Sequence, residues 1–74
     1  MADQTLDTKG LNCPMPIVKA KKALGDMEAG KVLEILATDP GAVKDFEAFS
    51  RKTGNKILEW TEDDGVFRFL IEKV

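Results

Sequence analysis

The one cysteine of the chain lies in a proline-rich turn that could present a reactive sulfur. Cys13 is followed by Pro14, Met15 and Pro16, and a helical pattern of apolar residues begins directly afterwards. With Cys13 as the N-cap and Pro14 as the first helical residue, the missing N–H of Pro14 costs nothing and its fixed φ suits the helix. Helix N-termini also favour the thiolate of a nearby cysteine. The pattern predicts a rigidly placed, reactive thiol.

A buried and inert Cys13 is the alternative, because free cysteine is among the most buried residue types. The position after Asn12 and before Pro14 lies outside the apolar stripes of the predicted helices, which favours exposure. The residue pattern alone favours a reactive cysteine, and a buried, inert Cys13 is the competing interpretation.

The missing residue types exclude most enzyme classes. The chain has no histidine and no tyrosine, and its only serine is Ser50, so neither a Ser-His-Asp nor a Cys-His arrangement can form within it. A zinc site of the Cys/His type is excluded for the same reason. The glycines are scattered singly, so no phosphate-binding loop appears, and Cys13 has no resolving cysteine. We therefore expect no metal and no cofactor.

Length and charge define the general class of protein. The 74 residues form one domain, residues 1–74, with a thin core. A net charge of −2 argues against direct nucleic-acid binding, which requires neutralising phosphates. Apolar runs are too short for a membrane span or a signal peptide. A single cysteine gives no internal disulfide, so we expect a cytoplasmic protein.

The first half of the chain predicts a strand, a helix and a strand. Residues 4–9 alternate loosely and end at Gly10, and residues 31–38 are rich in branched apolar residues. Between them, a helix of about three turns is predicted to end near Gly30. Its apolar stripe consists of Ile17, Ala20, Leu24 and Met27.

The second half predicts a helix and a β-hairpin. Asp39 suits the N-cap of the helix, Pro40 its first position and Gly54 the residue past its end. The hairpin turn is predicted at Asp64-Gly65. The expected core residues of this half are Ala42, Val43, Phe46, Phe49, Phe67, Phe69 and Ile71.

The order of elements predicts an α/β (α+β) fold, a two-layer βαβαββ sandwich with two helices packed on one face of a four-stranded mixed sheet. The pattern does not predict the order of strands in the sheet. The side of the sheet on which Trp60 lies is also left open, because the surrounding residues fit either parity.

Three stretches of the chain resemble the TusA/SirA-like family of small sulfur-carrier proteins. They are LDTKGLNCPMPIVKAKKAL, TDPGAVKDF and FRFLIEK, and the similarity extends from about residue 6 to residue 73. Its specific marks are Gly10-Leu11, Cys13-Pro14 with Pro16, and Asp39-Pro40. The fold implied by the resemblance is the same βαβαββ sandwich.

The resemblance implies that Cys13 is the catalytic residue of a sulfurtransferase, with Gly10, Pro14 and Pro16 supporting it. Cys13 would accept sulfane sulfur as a persulfide from a cysteine desulfurase or a rhodanese and relay it to a cysteine of an acceptor protein. The family's destinations are tRNA thiolation, molybdenum cofactor assembly and sulfur oxidation. We expect a monomer, which keeps the sulfur accessible.

Three residues near the cysteine are candidates for partner docking. Met15 could offer an apolar contact, and Lys19 and Lys22 could face an acidic partner. The alternative is a core position for Met15 and a solvated helix face for the lysines.

Two other functions compete with the sulfur carrier. A non-enzymatic regulatory or RNA-binding module would use the turn at Cys13 only as a rigid helix start, an argument that rests on fold alone. A thiol redox partner would use the same cysteine to form a mixed disulfide with another protein.

Overall fold

The computed structural model of the protein describes residues 2–74. Strands and helices follow one another in the predicted order, and each begins or ends within a few residues of its expected limit. The elements are β1 (Gln4–Thr8), α1 (Met15–Gly25), β2 (Val32–Ala37), α2 (Ala42–Thr53), β3 (Lys56–Asp63) and β4 (Val66–Glu72).

The four strands form one mixed sheet in the order β1-β2-β4-β3. β1 runs parallel to β2, whereas β4 runs antiparallel to both β2 and β3. The register places Leu6 beside Ile35 and Ile35 beside Phe69. Both helices pack on one face, so the predicted two-layer sandwich is confirmed.

The core lies between this face of the sheet and the two helices. Alternate residues of β2, namely Leu33, Ile35 and Ala37, have no exposed surface, because successive side chains of a strand point to opposite faces. The predicted stripes of both helices and the inward residues of β4 are confirmed. The buried or partly buried members are Ile17, Ala20, Leu24, Met27, Ala42, Val43, Phe46, Phe49, Phe67, Phe69 and Ile71.

The other face of the sheet carries charged pairs. The Arg68 guanidinium donates a hydrogen bond to the Glu34 carboxylate and lies 3.8 Å from the carboxylate of Glu59. Hydrogen bonds from Arg68 and from the Thr5 hydroxyl lower the pKa of Glu34. Polar side chains on the uncovered face are expected for a sheet that buries only one side.

Trp60 lies on the helix-facing side of the edge strand β3. It pairs with Phe69 in the register, and its ring centroid is 6.2 Å from that of Phe69 and 6.3 Å from that of Phe67. A β-bulge between Ile57 and Glu59 shifts the alternation of the strand, so simple parity could not assign the side. The indole remains 42% exposed because it lies at the edge of the sheet.

The hairpin turn is confirmed, but the end of α1 is earlier than predicted. Asp64 and Gly65 both have positive φ, 54° and 83°, as a two-residue turn of this type requires. α1 ends at Gly25, where the N–H of Asp26 and the N–H of Met27 bond back to the last turn, so the segment up to Gly30 is a loop. No helix within residues 2–74 is long and apolar enough to cross a membrane.

Candidate functional site

The site forms where two parallel strands end. Because β1 and β2 are parallel neighbours, the loops that follow them meet at the same edge of the sheet. The N–H of Gly10 donates to the Thr38 hydroxyl at 2.9 Å, which joins the two loops. Gly10 adopts φ of +83°, a conformation that glycine reaches without a steric penalty.

The Asp39 carboxylate holds the backbone of the cysteine. Its Oδ2 accepts a hydrogen bond from the N–H of Cys13 at 2.8 Å, and its Oδ1 accepts one from the N–H of Gly41 at 3.0 Å. The prediction that Asp39 is the N-cap of the second helix is therefore wrong. α2 begins only at Ala42, with Gly41 at the N-cap, because the carboxylate is engaged with the neighbouring loop and with Gly41.

Cys13 lies just outside α1 and is not its N-cap, which corrects the sequence-based placement. The N–H of Met15 donates to the carbonyl of Asn12 at 2.9 Å, closing a tight turn around a cis Cys13–Pro14 bond. The carbonyl of Pro14, the N-cap residue, accepts the N–H of Val18 at 3.0 Å. No side chain caps this helix, and the Cys13 side chain is exposed.

Carboxylates dominate the electrostatics of the thiol. Hydrogen bonding to the Asp45 carboxylate, partial desolvation, and the negative charges of Asp45 and then Asp39 all raise the pKa of Cys13. The expectation that the helix N-terminus favours the thiolate is thus wrong, because nearby negative charge disfavours a second anion. The carboxylates therefore favour the protonated thiol over the thiolate at Cys13.

Two apolar side chains are exposed in the first turn of α1, close to Cys13 in the sequence. Met15 is 43% exposed and Val18 is 52% exposed, and they occupy neighbouring positions one turn apart on α1. Pro16, by contrast, is buried against the fold. Lys19 and Lys22 are exposed on the same helix. Their docking role, like that of Met15, stays a prediction.

Sequence reasoning gave no role at the sulfur to Asp39 or Asp45. A usable signal existed for Asp39, because it follows a strand that had to lie beside the strand preceding Cys13 if the two were parallel neighbours. Asp45 comes from the first turn of α2 and reaches Cys13 only through the packing of the two helices. Among residues 2–74, no group of three or more metal-ligating side chains is close enough to hold a metal ion.

A βαβαββ domain with one exposed cysteine in a Cys-Pro-x-Pro turn defines a class of small, single-cysteine proteins. The family model described as sulfurtransferase TusA matches residues 4–73. The chain belongs to this family.

Named relatives and a solved structure agree with this assignment. The sulfur carrier protein TusA of Allochromatium vinosum is 58% identical over 71 residues, which cover 96% of this chain and 93% of that protein. A putative sulfur carrier protein of Neisseria meningitidis is 54% identical over 72 residues, 97% of either chain. The crystal structure of a SirA-like protein from Desulfitobacterium hafniense has a TM-score of 0.82 at 31% identity, covering 93% of this chain and 95% of its own.

Proposed function

We propose that the protein is a sulfur carrier that holds one sulfane sulfur atom as a persulfide on Cys13. Membership of the TusA family and relatives named as sulfur carriers support a carrier role. The observation that carries the proposal is the presentation of the only cysteine, exposed in a turn whose backbone is fixed by Asp39. A thiol held at one place, with no second cysteine to close a disulfide, suits loading and unloading by other proteins.

Loading is a thiol–persulfide exchange in which no net oxidation occurs. The Cys13 thiolate attacks the outer sulfur of a persulfide on the donor protein. The S–S bond of the donor breaks, a new S–S bond forms on Cys13, and the donor cysteine leaves as a thiolate. A cysteine desulfurase or a rhodanese is the donor class, so the protein acts as a sulfurtransferase only together with such a partner.

Unloading repeats the exchange in the other direction. A thiolate of the acceptor protein attacks the outer sulfur on Cys13, and the Cys13 thiolate leaves with its proton returned from solvent. Because a thiol of higher pKa is a poorer leaving group, the carboxylates near Cys13 slow premature loss of the sulfur. The acceptor then determines the destination, which is tRNA thiolation, molybdenum cofactor assembly or sulfur oxidation. The exchange needs reduced thiols, which the cytoplasm maintains.

Intact-mass spectrometry under non-reducing conditions tests the proposal. The reduced protein is incubated with a cysteine desulfurase and cysteine, and separately with a rhodanese and thiosulfate. We expect a gain of one sulfur atom that a reductant removes and that Cys13→Ser does not show. Circular dichroism of the serine variant should match the parent, because the exposed sulfur caps no helix.

Two results would overturn the proposal. A protein that gains no sulfur from either donor, but forms a disulfide with the donor cysteine, would be a thiol redox partner. A serine variant that gains sulfur as the parent does would show that Cys13 is not the carrying residue.

A further inference from the structure

A groove runs along the surface between α1 and α2. It consists of two adjoining depressions of about 310 and 300 Å³, both lined by Lys21, Phe49 and Thr53. The two depressions adjoin at these shared residues. Phe49 is 7% exposed and lies in the floor of both.

One end of the groove lies at the sulfur site. Ile17 and Asp45 line this end. Ile17 follows Cys13 by four residues, and the Asp45 carboxylate lies close enough to the Cys13 thiol to raise its pKa. The opposite end is lined by Leu24 and Lys73. Seven residues of helix separate Ile17 from Leu24, so the groove is about 10 Å long. An extended peptide of about three residues covers that length.

The charge of the groove differs from that of the whole chain. Its lining includes Lys21 from α1, Lys52 from α2 and Lys73 beyond β4, and Asp45 is the one acidic side chain among the lining residues. The chain as a whole carries a net charge of −2. The groove is therefore a basic, apolar-floored strip on an acidic protein, with its only carboxylate side chain beside the sulfur.

We infer that this groove binds an extended acidic segment of the protein with which Cys13 exchanges sulfur. This inference rests on the proposed function. An acidic side chain of the segment lies between Lys21 and Lys52, and an apolar side chain covers Phe49. The complementary charges direct the segment along the groove towards the sulfur, and opposite charge across an interface speeds association and fixes register.

Only one of the three lysines of α1 lines the groove. Lys21 lines it, whereas its neighbours Lys19 and Lys22 are not among its lining residues. Lys21 of α1 and Lys52 of α2 line the same depression, so both charges are reversed in the test of the groove.

Binding of two short peptides tests the chemistry of the occupant. Labelled protein is titrated with acetyl-Glu-Leu-Glu-amide and with acetyl-Lys-Leu-Lys-amide, and amide chemical shifts are followed by NMR. We expect the acidic peptide to shift residues lining the groove, and to do so about tenfold more weakly with Lys21→Glu/Lys52→Glu. A preference for the basic peptide, or shifts outside the groove, would overturn the inference.

Sulfur-transfer assays distinguish an error in the groove inference from an error in the proposed carrier function. Lys21→Glu/Lys52→Glu is compared with Lys31→Glu/Arg51→Glu, which makes the same change of net charge outside the groove. Both variants should load from inorganic polysulfide as the parent does, whereas loading from the desulfurase should slow about tenfold only in the groove variant. Equal slowing of both variants, or of neither, would overturn the groove inference. Failure of the parent to load from polysulfide and from desulfurase would overturn the carrier itself.

Discussion

The thiol of Cys13 lies in an acidic setting, although it is placed close to a helix N-terminus. Asp45 reaches it from the first turn of α2, and Asp39 holds its backbone from the loop after β2. These carboxylates raise the pKa of the thiol, whereas a free-standing nucleophile would need a lower one. A protonated thiol is oxidised and exchanges more slowly than a thiolate, so these carboxylates make Cys13 less reactive.

Asp45→Asn should make Cys13 more reactive. Removing the charge and the hydrogen-bonding carboxylate lowers the pKa of the thiol, so the thiolate fraction at a given pH rises. We expect alkylation by iodoacetamide to be several-fold faster at pH 7.5, and the whole rate profile to move to lower pH. Glu47→Gln is the control, because it removes one exposed charge from the same helix. Coincident pH profiles for Asp45→Asn and the parent would contradict this electrostatic description.

At the scale of elements, the site depends on the contact between two loops. The strands β1 and β2 are short, and their parallel pairing brings the loops after them together. Gly10 and Asp39 then supply hydrogen bonds that join one loop to the other. The cysteine therefore occupies a position set by the sheet rather than by α1 alone.

Asp39→Ala should loosen this connection. The change leaves the N–H groups of Cys13 and Gly41 without their carboxylate acceptor. We expect the free energy of unfolding in urea to fall by about 1–2 kcal/mol. The Cys13 amide should also exchange with solvent faster. Asp39→Asn keeps one acceptor oxygen and should lose less stability; an Asn variant as destabilised as the Ala variant would argue against the hydrogen bonds as the cause.

Two glycines should respond to alanine with opposite signs. Neither Gly10 nor Gly25 has another atom within 4 Å of an added Cβ, so packing does not enter. Gly10 has φ of +83°, and alanine there should cost about 1–2 kcal/mol of unfolding free energy. Gly25 ends α1 without a positive φ, and alanine there should add about 0.5–1 kcal/mol. Urea denaturation measures both; equal effects would mean that the backbone conformation at Gly10 is not the one described.

Local patterns predicted the elements well, because periodicity and turn residues act over a few residues. The stripe of α2 through Phe46 and Phe49 and the turn at Asp64-Gly65 are of this kind. The helix starts were less well predicted. Aspartate is a common N-cap residue, yet the Asp39 carboxylate accepts a hydrogen bond from the N–H of Cys13 in the neighbouring loop. These two residues are far apart in the sequence.

At the scale of the whole molecule, features that depend on contacts between distant residues could not be predicted from the sequence. The order β1-β2-β4-β3 places the last strand between two earlier ones, and no short stretch encodes that choice. The side of Trp60 was open because a bulge interrupts the alternation of β3. The acidic setting of Cys13 and the basic groove also arise only when α1 and α2 pack together. The cysteine itself was identifiable because its residue type and its prolines are local.

In the proposed function, Cys13 both receives and gives up one sulfur atom. The most direct measurement follows radiolabelled sulfur from a cysteine desulfurase through the carrier to the reduced active-site cysteine of a rhodanese. The rhodanese serves as the acceptor because thiol–persulfide exchange runs in either direction, and each protein is separated before counting. We predict that label reaches the rhodanese from the purified, loaded parent protein and that none passes through Cys13→Ser, which leaves the fold intact. Transfer of label through the serine variant at the parent rate would contradict the account.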